Sequence, residues 1–465
     1  MPSDPESRCV KCLYAFIVSS VLLAKISVAV EPCRIQIRDA DCDWPVPAVE
    51  LRTTHNVRFV SDNNGLIAFD LPELMGVETW FRVIGHGYGV KQDGFGYAGV
   101  RLRPEPGQTV TVKVQRQLAA RRLGRITGGG LFAESQKLGL ETDWSEQGIL
   151  GCDSVQTIVH QGRIFWAWGD TVLPGYPLGL FHMLGATTRL KPLDNVSPPI
   201  QLRYDYFRDA QGKPRNIAQM PGDGPTWLNG LVSLPDRNGR MFLGATYSKI
   251  RPPLEVYELG LCVWDESSET FQPHKVIWHQ SKQTPHPPVV PHGHPVRWTD
   301  QEGRVWMLFG DPFPTLRCPA TFEAWSDAAT WEVLHAQPSV RARTTGENVQ
   351  PHRGSIAWNA FRNRWVTVFT QQHGKPSGLG ELWYAEAEAP TGPWKEAVKV
   401  VTHDNYTFYN PRIHPEFTTP ESPVLLFEAT FTHTFSGNPT PVPRHDYNQM
   451  LYRLDLDSMP DREKP

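Results

Sequence analysis

One hairpin pattern recurs five times in the C-terminal two thirds of the chain and limits the folds that it can adopt. In residues 151–171 (GCDSVQTIVHQGRIFWAWGDT) an aspartate opens a strand, Gln161-Gly162 forms a tight turn, and the second strand ends on another aspartate. Similar second strands begin at Arg163, Arg240, Arg304, Arg364 and Val424, each ten residues after the residue that opens its hairpin. Copies about sixty to seventy-five residues apart indicate a radial repeat.

Each hairpin is followed by more β-type sequence, which predicts four strands per repeat. These stretches are FHMLGATTRL, GLCVWDES, ATFEAWSD, LWYAEAEA and MLYRLDLD. One such sheet cannot bury both of its faces, whereas five sheets packed around an axis can. We therefore expect an all-β chain with a five-bladed β-propeller over residues 141–458. A large sandwich is the alternative, and the even spacing argues against it.

In a propeller, the residues that open the first strand and close the second strand of each blade surround one central depression. The pattern predicts a polar ring there, which is the default location of a binding site. The catalytic candidates are Asp153, Asp170, Asp311, Glu428, His294, His352 and His414. The candidates for substrate binding are Trp227, Asn229, Tyr247, Arg353, Gln371 and Arg412, and the same positions include His292, Gln372, Tyr409 and Asn410.

Glycoside hydrolysis is the first chemistry that these residues suggest. It requires two carboxyl groups on either side of a sugar, one protonated and one ionised. Asp153 is the candidate base, and Asp170, Asp311 and Glu428 are candidates for the acid. Crowding of Asp153 and Asp170 at one hairpin mouth should raise the pKa of one of them.

Three other functions use the same ring of residues. A polysaccharide lyase could use His294, His352 or His414 as a base, with Arg353 or Arg412 on a uronate carboxylate. The histidines with Asp153 could instead hold zinc, and calcium at the axis is a further option. The sequence indicates no definite cofactor beyond such a divalent ion, and the ring could also bind a sugar without catalysis.

Three motifs make this region similar to the five-bladed propellers of carbohydrate-active enzymes. They are GCDS, WGDT and YAEAEAPTGPW (residues 384–394), and the region from 142 to 456 resembles glycoside hydrolase families 43, 32 and 117 and the related DUF4185 domains. The resemblance implies that Asp153 is the general base. At the positions of the second aspartate and the acid glutamate of family 43, this chain has Asn229-Gly230 and His294.

The N-terminal part of the chain is expected to form a separate small domain. Residues 30–117 contain seven short alternating runs (CRIQIRDA, AVELRTT, VRFVSD, GLIAFDL, WFRVIGHG, GVRLRP and TVTVKVQR), which predict a small β-sandwich. VSDNNGLIAFDLPEL and the HGYG turn resemble carboxypeptidase-regulatory-like, transthyretin-like domains, which implies an accessory module. Residues 118–140 are expected to be a linker, with a short helix in LAARRLGRI.

The first 29 residues resemble an export signal. Arg8 and Lys11 precede an apolar run, and Ser27-Val28-Ala29 matches a small-x-small cleavage site, so a secreted or periplasmic protein is expected. An oxidising compartment would allow a Cys33–Cys42 disulfide. The net charge of −3 and the lack of a basic run argue against nucleic acid or an anionic membrane as the main partner. The expected partner is the carbohydrate substrate that the ring and the resemblance imply. The oligomeric state stays open.

Overall fold

The computed structural model describes residues 30–145, 148–374, 377–403 and 406–459. Strands account for 47% of the residues and helices for 5%, which confirms the expected all-β class. Within those ranges no helix is long and apolar enough to span a membrane. The predicted export signal, with Cys9 and Cys12, lies outside the described residues. The helices are α1 (Ala133–Lys137), α2 (Phe322–Ser326) and four 3₁₀ helices at Pro72–Leu74, Ala328–Thr330, Pro415–Phe417 and Leu456–Ser458.

The N-terminal part contains two four-stranded sheets that share one apolar core. All seven strands predicted there are present, and Tyr88–Gly89 adds an eighth. The strands are β1 (Cys33–Asp39), β2 (Glu50–Thr53), β3 (Arg58–Val60), β4 (Leu66–Phe69), β5 (Thr79–Ile84), β6 (Tyr88–Gly89), β7 (Gly99–Leu102) and β8 (Thr109–Arg116). Sheet A has the order β4-β1-β8-β6 and sheet B the order β3-β2-β5-β7. Alternate residues such as Ile35 and Ile37 of sheet A meet Leu51 and Phe81 of sheet B in the core.

Five further four-stranded sheets follow along the chain, called sheets I to V here. Their strands, with five others beside them, are β9 (Arg121–Arg125), β10 (Gly151–Cys152), β11 (Gln156–His160), β12 (Arg163–Trp168), β13 (Thr171–Leu173), β14 (Tyr176–Leu180), β15 (Leu184–Arg189), β16 (Asp205–Tyr206), β17 (Thr226–Pro235), β18 (Met241–Arg251), β19 (Glu255–Asp265), β20 (Thr270–His279), β21 (Val296–Thr299), β22 (Val305–Gly310), β23 (Pro314–Pro319), β24 (Glu332–Val333), β25 (Val340–Arg341), β26 (Asn348–Val349), β27 (Pro351–Asn359), β28 (Arg364–Gln371), β29 (Glu381–Ala387), β30 (Lys395–Thr402), β31 (Thr407–Ile413), β32 (Val424–Thr432) and β33 (Asn448–Asp455).

The sheets keep the predicted hairpins as neighbouring strands. Sheet I has the order β11-β12-β15-β16, sheet II β17-β18-β19-β20, sheet III β21-β22-β23-β24, sheet IV β27-β28-β29-β30 and sheet V β31-β32-β33-β9. In the first hairpin, Gln161 (φ 47°) and Gly162 (φ 76°) have the two left-handed conformations that a type I′ turn requires. The predicted turn is therefore confirmed, and it brings both ends of the hairpin to one edge of sheet I.

Sheet V is completed by a strand that precedes all the others of this region. Residues 121–125 pair with β33, so the helix expected in LAARRLGRI is wrong. Leu123 packs into the core, and Arg122 is buried with its guanidinium donating to the carbonyls of Pro47, Gly85 and His86. Pairing and burial outweigh the helix propensity of this segment. The short helix of the expected linker lies further along, at α1.

Two other local predictions are also wrong. ATFEAWSD is not a strand, because α2 occupies it, with Thr321 as N-cap and Trp325 packed against Gly244. The third strand of sheet III is β23 instead. Cys33 and Cys42 are free thiols. Cys33 is the first residue of β1 and Cys42 follows the last, Asp39, so at about 3.3 Å per residue the strand holds the two thiols too far apart for a disulfide.

Candidate functional site

Side chains from all five sheets line one cavity of about 570 Å³. Each comes from the end of a strand or from the turn beside it, as the hairpin pattern predicts. Eight of the thirteen predicted site residues line this cavity. They are Asp153 and Asp170 beside sheet I, Trp227 and Asn229 on sheet II, His294 and Asp311 beside sheet III, and His352 and Arg353 on sheet IV.

The other five predicted residues do not line the cavity. The Tyr247 hydroxyl donates to Glu258 on the neighbouring strand, and Gln371 accepts a bond from the indole of Trp383. Arg412, His414 and Glu428 are buried within sheet V. The prediction of a substrate or catalytic role in the cavity is therefore wrong for Tyr247, Gln371, Arg412, His414 and Glu428.

Asp153 is held in the cavity by neighbours from sheets I and V. Its Oδ2 accepts a 2.8 Å hydrogen bond from the Tyr409 hydroxyl, and its carbonyl accepts one from the Gly169 amide. A Cβ at residue 169 would overlap Oδ1, so glycine is needed there to leave room for the carboxyl group. Burial and the nearby charge of Asp170 raise the pKa of Asp153 to about 6, although Tyr409 and Tyr447 act in the opposite direction.

Asp170 faces the same cavity from the other strand of the hairpin. Burial raises its pKa, and the nearby indole of Trp227 offsets part of the rise. Among the described residues no donor reaches Oδ1 of Asp170. Asp153 and Asp170 thus form a coupled pair that retains one proton at a higher pH than an isolated aspartate would.

Tyr409 and Tyr447 surround the carboxyl of Asp153. Burial and the charge of Asp153 raise the pKa of both phenols, so each keeps its proton and acts as a hydrogen-bond donor. Sequence patterns indicated Tyr409 only as one of the ring positions. The signal that would have identified both tyrosines is the distance in space to Asp153, which the sequence does not contain.

Five residues that line the cavity have left-handed backbone conformations that are unusual for side chains other than glycine. Such strain costs about 1 kcal/mol or more per residue and concentrates at functional sites. It fixes the direction of side chains on turns, on loops and on β31, and no sequence pattern predicted it. The residues are Ser154 (φ 52°), Met183 (φ 63°), Asn410 (φ 49°), Phe435 (φ 61°) and Tyr447 (φ 57°).

Asp311 has a supporting role on the sheet III side. Its Oδ2 accepts a 2.8 Å bond from Nη1 of Arg353, and its Oδ1 accepts a 2.7 Å bond from the Gly354 amide. Both carboxyl oxygens are therefore occupied, which does not suit a proton donor. Arg353 keeps 44% of its side chain exposed and lines the cavity.

The two histidines of the cavity are neutral. Burial is the largest cause of the low pKa of His294, and nearby cations lower it further, Arg412 before His414 and Arg353. Burial and Arg353 also lower the pKa of His352. Neutral imidazoles can donate and accept hydrogen bonds from sugar hydroxyls.

His414 belongs to a separate buried cluster. Its Nδ1 lies 2.9 Å from Oε1 of Glu416 and its Nε2 lies 2.6 Å from Oε1 of Glu428. Burial opposes protonation of His414, but the two glutamates outweigh burial and raise its pKa. For the carboxyl group of Glu416, burial alone would raise the pKa, but Arg412 and His414 lower it to about 2. Both ring nitrogens are thus engaged in ion pairs, and His414 is not available to a substrate.

The structure does not bring together the ligands that the sequence suggested for zinc or calcium. In the described parts of the chain, no group of three or more His, Cys, Asp or Glu side chains is arranged to hold a metal ion. The set considered was Asp153 with three histidines. His414 is held by glutamates, which removes it from that set.

Apolar side chains form the upper part of the cavity. Leu254 is 72% exposed and Phe435 is 77% exposed, and both line the cavity together with Trp227 and Leu379. Exposed apolar rings beside a polar floor suit a sugar, which has an apolar face and polar edges. Of these four, only Trp227 was predicted.

No protein-family model matches the chain, and no curated protein matches it. Solved structures with partial similarity include an exo-1,5-α-L-arabinanase from a bovine ruminal metagenomic library (10% identity, TM-score 0.39, 66% of this chain and 94% of that one). A putative exo-β-1,3-galactanase from Bifidobacterium bifidum has 13% identity and a TM-score of 0.38 over 66% of this chain and 91% of that one. The glycoside hydrolase family 43 YxiA protein from Bacillus licheniformis has 13% identity and a TM-score of 0.35 over 66% and 71%. These values assign the chain to no family.

Proposed function

We propose that this protein is a glycoside hydrolase that cleaves a polysaccharide or oligosaccharide in the cavity. The observation that carries the proposal is the pairing of Asp153 with Asp170 at one hairpin mouth. Both are carboxyl groups with a raised pKa, and they face one cavity of about 570 Å³. Hydrolysis of a glycoside requires one protonated and one ionised carboxyl group at the scissile bond.

The hydrogen bonds around the pair suggest how the roles are divided. Tyr409 donates to Asp153, which favours Asp153 as the acceptor of a proton and hence as the base. A pKa of about 6 leaves Asp153 ionised at pH 7 but still basic. Asp170, whose pKa burial also raises, is then the candidate acid that protonates the leaving group.

The remaining residues of the cavity would hold the sugar. Trp227 and Phe435 offer aromatic faces, Arg353 offers N–H donors, and His294 offers a neutral imidazole. We propose that sheets I to V are five blades around this cavity, since each contributes side chains to it. Sheets A and B would then be an accessory β-sandwich, and residues 1–29 an export signal.

A lyase mechanism has less support from the same residues. It would require a histidine or tyrosine that accepts a proton, together with a cation at the uronate. The raised pKa of Tyr409 and Tyr447 makes both phenolates unfavourable near neutral pH. Arg353 is already paired with Asp311.

The test is an assay of new reducing ends with a panel of plant and bacterial polysaccharides. We expect the wild-type protein to release reducing ends from at least one of them and Asp153→Asn to release none. Products that absorb as unsaturated uronates would favour the lyase. Retention of the polysaccharide on the protein without any product would favour a sugar-binding protein and contradict the proposal.

A further inference from the structure

A second cavity of about 480 Å³ lies between sheet B and the loop that joins β32 to β33. We call it the interface groove. On one side it is lined by Arg52, Arg58 and Arg82, and on the other by Asn438 and Thr440 of the loop. Arg58 also donates to the carbonyl of Pro441, which ties the loop to sheet B. The groove is therefore a built feature of the contact between the N-terminal part and sheet V.

The charges that line the interface groove are mainly positive. Glu50 is buried and accepts bonds from both Arg52 and Arg58, so one carboxylate serves two guanidinium groups. Arg82 is exposed in the groove, and no carboxylate of the described residues lies within ion-pair distance of it. The excess of cations over anions favours a ligand with negative charge.

Uncharged polar groups complete the lining of the groove. The side-chain amides of Gln92, Gln117 and Asn438 and the hydroxyl of Thr440 offer both donors and acceptors. Such a mixture of amides and hydroxyls matches a ligand with many hydroxyl groups. The volume is within the range of pockets that hold small ligands.

Exposed aromatic rings stand at one end of the groove. Gln92 and Ala98, which line it, form a bridge that closes the turn between them. That turn presents Phe95, which is 90% exposed, and Tyr97, which is 62% exposed. Oδ1 of Asp93 accepts bonds from the amides of both residues, so the turn is ordered although its rings are not covered. Aromatic faces beside a polar groove are typical of sites that bind sugars.

We propose that the interface groove is a second glycan-binding site, which takes an oligosaccharide that carries carboxylate groups. Arg82, with Arg52 and Arg58, binds the carboxylates, and Phe95 and Tyr97 stack against the sugar rings at the mouth. The loop that forms one wall also carries Phe435 and Tyr447 of the first cavity, so the two sites share a structural element. The assignment does not depend on hydrolysis, because it rests on residues outside the first cavity.

The test is a calorimetric titration with tetragalacturonic acid. The Asp153→Asn protein is the parent for all variants, so that turnover cannot consume the ligand. We expect Arg82→Gln and Phe95→Ala each to weaken binding by about tenfold or more. Both side chains are exposed, so their replacement leaves the fold intact. The matched controls, Arg189→Gln and Phe361→Ala, change exposed residues of the same types on other sheets and should not affect binding.

Three results would overturn the proposal. The first is unchanged affinity in both groove variants. The second is loss of binding in Trp227→Ala instead, which would place the ligand in the first cavity. The third is equal affinity for the methyl-esterified tetragalacturonide or tighter binding of an oligothymidylate, since charge recognition of a sugar would then be excluded. Each result is independent of whether any polysaccharide is hydrolysed.

Discussion

The hydroxyl of Tyr409 donates a 2.8 Å hydrogen bond to Oδ2 of Asp153, and it does so across 256 positions of the sequence. The bond joins sheet V to the turn that opens sheet I. Burial and Asp170 raise the pKa of the Asp153 carboxyl group, and this hydrogen bond offsets part of that rise. The same contact therefore connects the two ends of the sheet series and adjusts the proposed base.

Replacement of this tyrosine should change the pH dependence of the reaction. If ionised Asp153 is the base, kcat/KM falls as the pH falls through about 6. Tyr409→Phe removes a bond that lowers the pKa of Asp153, so the acidic limb should move to higher pH by about one unit. The measurement is a pH profile of kcat/KM, with the exposed Tyr176→Phe as control. An unmoved limb would show that the bond does not adjust the base.

Asp153 should also reduce the stability of the folded protein at neutral pH. Its pKa in the fold, about 6, lies above the ordinary value of 3.8, so stability is lost as the pH rises through this interval. Asp153→Asn should therefore raise the free energy of unfolding by about 1–3 kcal/mol at pH 8 and leave it unchanged near pH 3.5. Urea unfolding at the two pH values measures this difference.

A second aspartate provides a control of opposite sign. Oδ2 of Asp300 accepts bonds from the indole of Trp306 and from Arg304, and the Trp306 bond is the main cause that lowers its pKa to about 2. Asp300→Asn should therefore destabilise the protein at pH 8. If both variants shift stability in the same direction, the cause is not the ionisation of these carboxyl groups.

The space for the Asp153 carboxyl depends on Gly169. Its backbone does not have a positive φ, so the main obstacle to a side chain there is Oδ1 of Asp153, with the Cβ of Ser154 a further close neighbour. Gly169→Ala should displace the carboxyl and reduce kcat by about 100-fold, with a small change in stability. The control is Gly175→Ala, because a Cβ at residue 175 meets nothing within 4 Å. Full activity of Gly169→Ala would contradict the position of Asp153 at the reacting atoms.

Much of the fold could be predicted because hairpins are local. The turn at Gln161-Gly162 follows from two residues, and alternating apolar runs predicted the seven N-terminal strands. The strand at residues 121–125 could not be recognised, because its partner, β33, lies more than 300 residues away. LAARRLGRI contains a strand and not a helix because of that pairing and because the guanidinium of Arg122 bonds to the surrounding carbonyls.

The predicted site residues line the cavity where the strand ends were predicted correctly. Asp153 and Asp170 end the first hairpin and line the cavity. His414 was taken as the residue that opens the first strand of sheet V, but that strand spans Thr407–Ile413, so His414 lies at its far end. Tyr409 and Asn410 occupy the cavity instead. Tyr447 depends on a left-handed backbone conformation in a loop, which residue types alone do not reveal.

The central claim is that Asp153 and Asp170 act as base and acid in hydrolysis. The most direct measurement compares Asp153→Asn and Asp170→Asn on the natural glycoside and on its dinitrophenyl analogue, whose leaving group needs no proton. On the natural glycoside, both variants should lose about 100-fold or more in kcat/KM. On the dinitrophenyl analogue, Asp170→Asn should recover most of its activity and Asp153→Asn should not. Wild-type rates for either variant on the natural glycoside would contradict the claim.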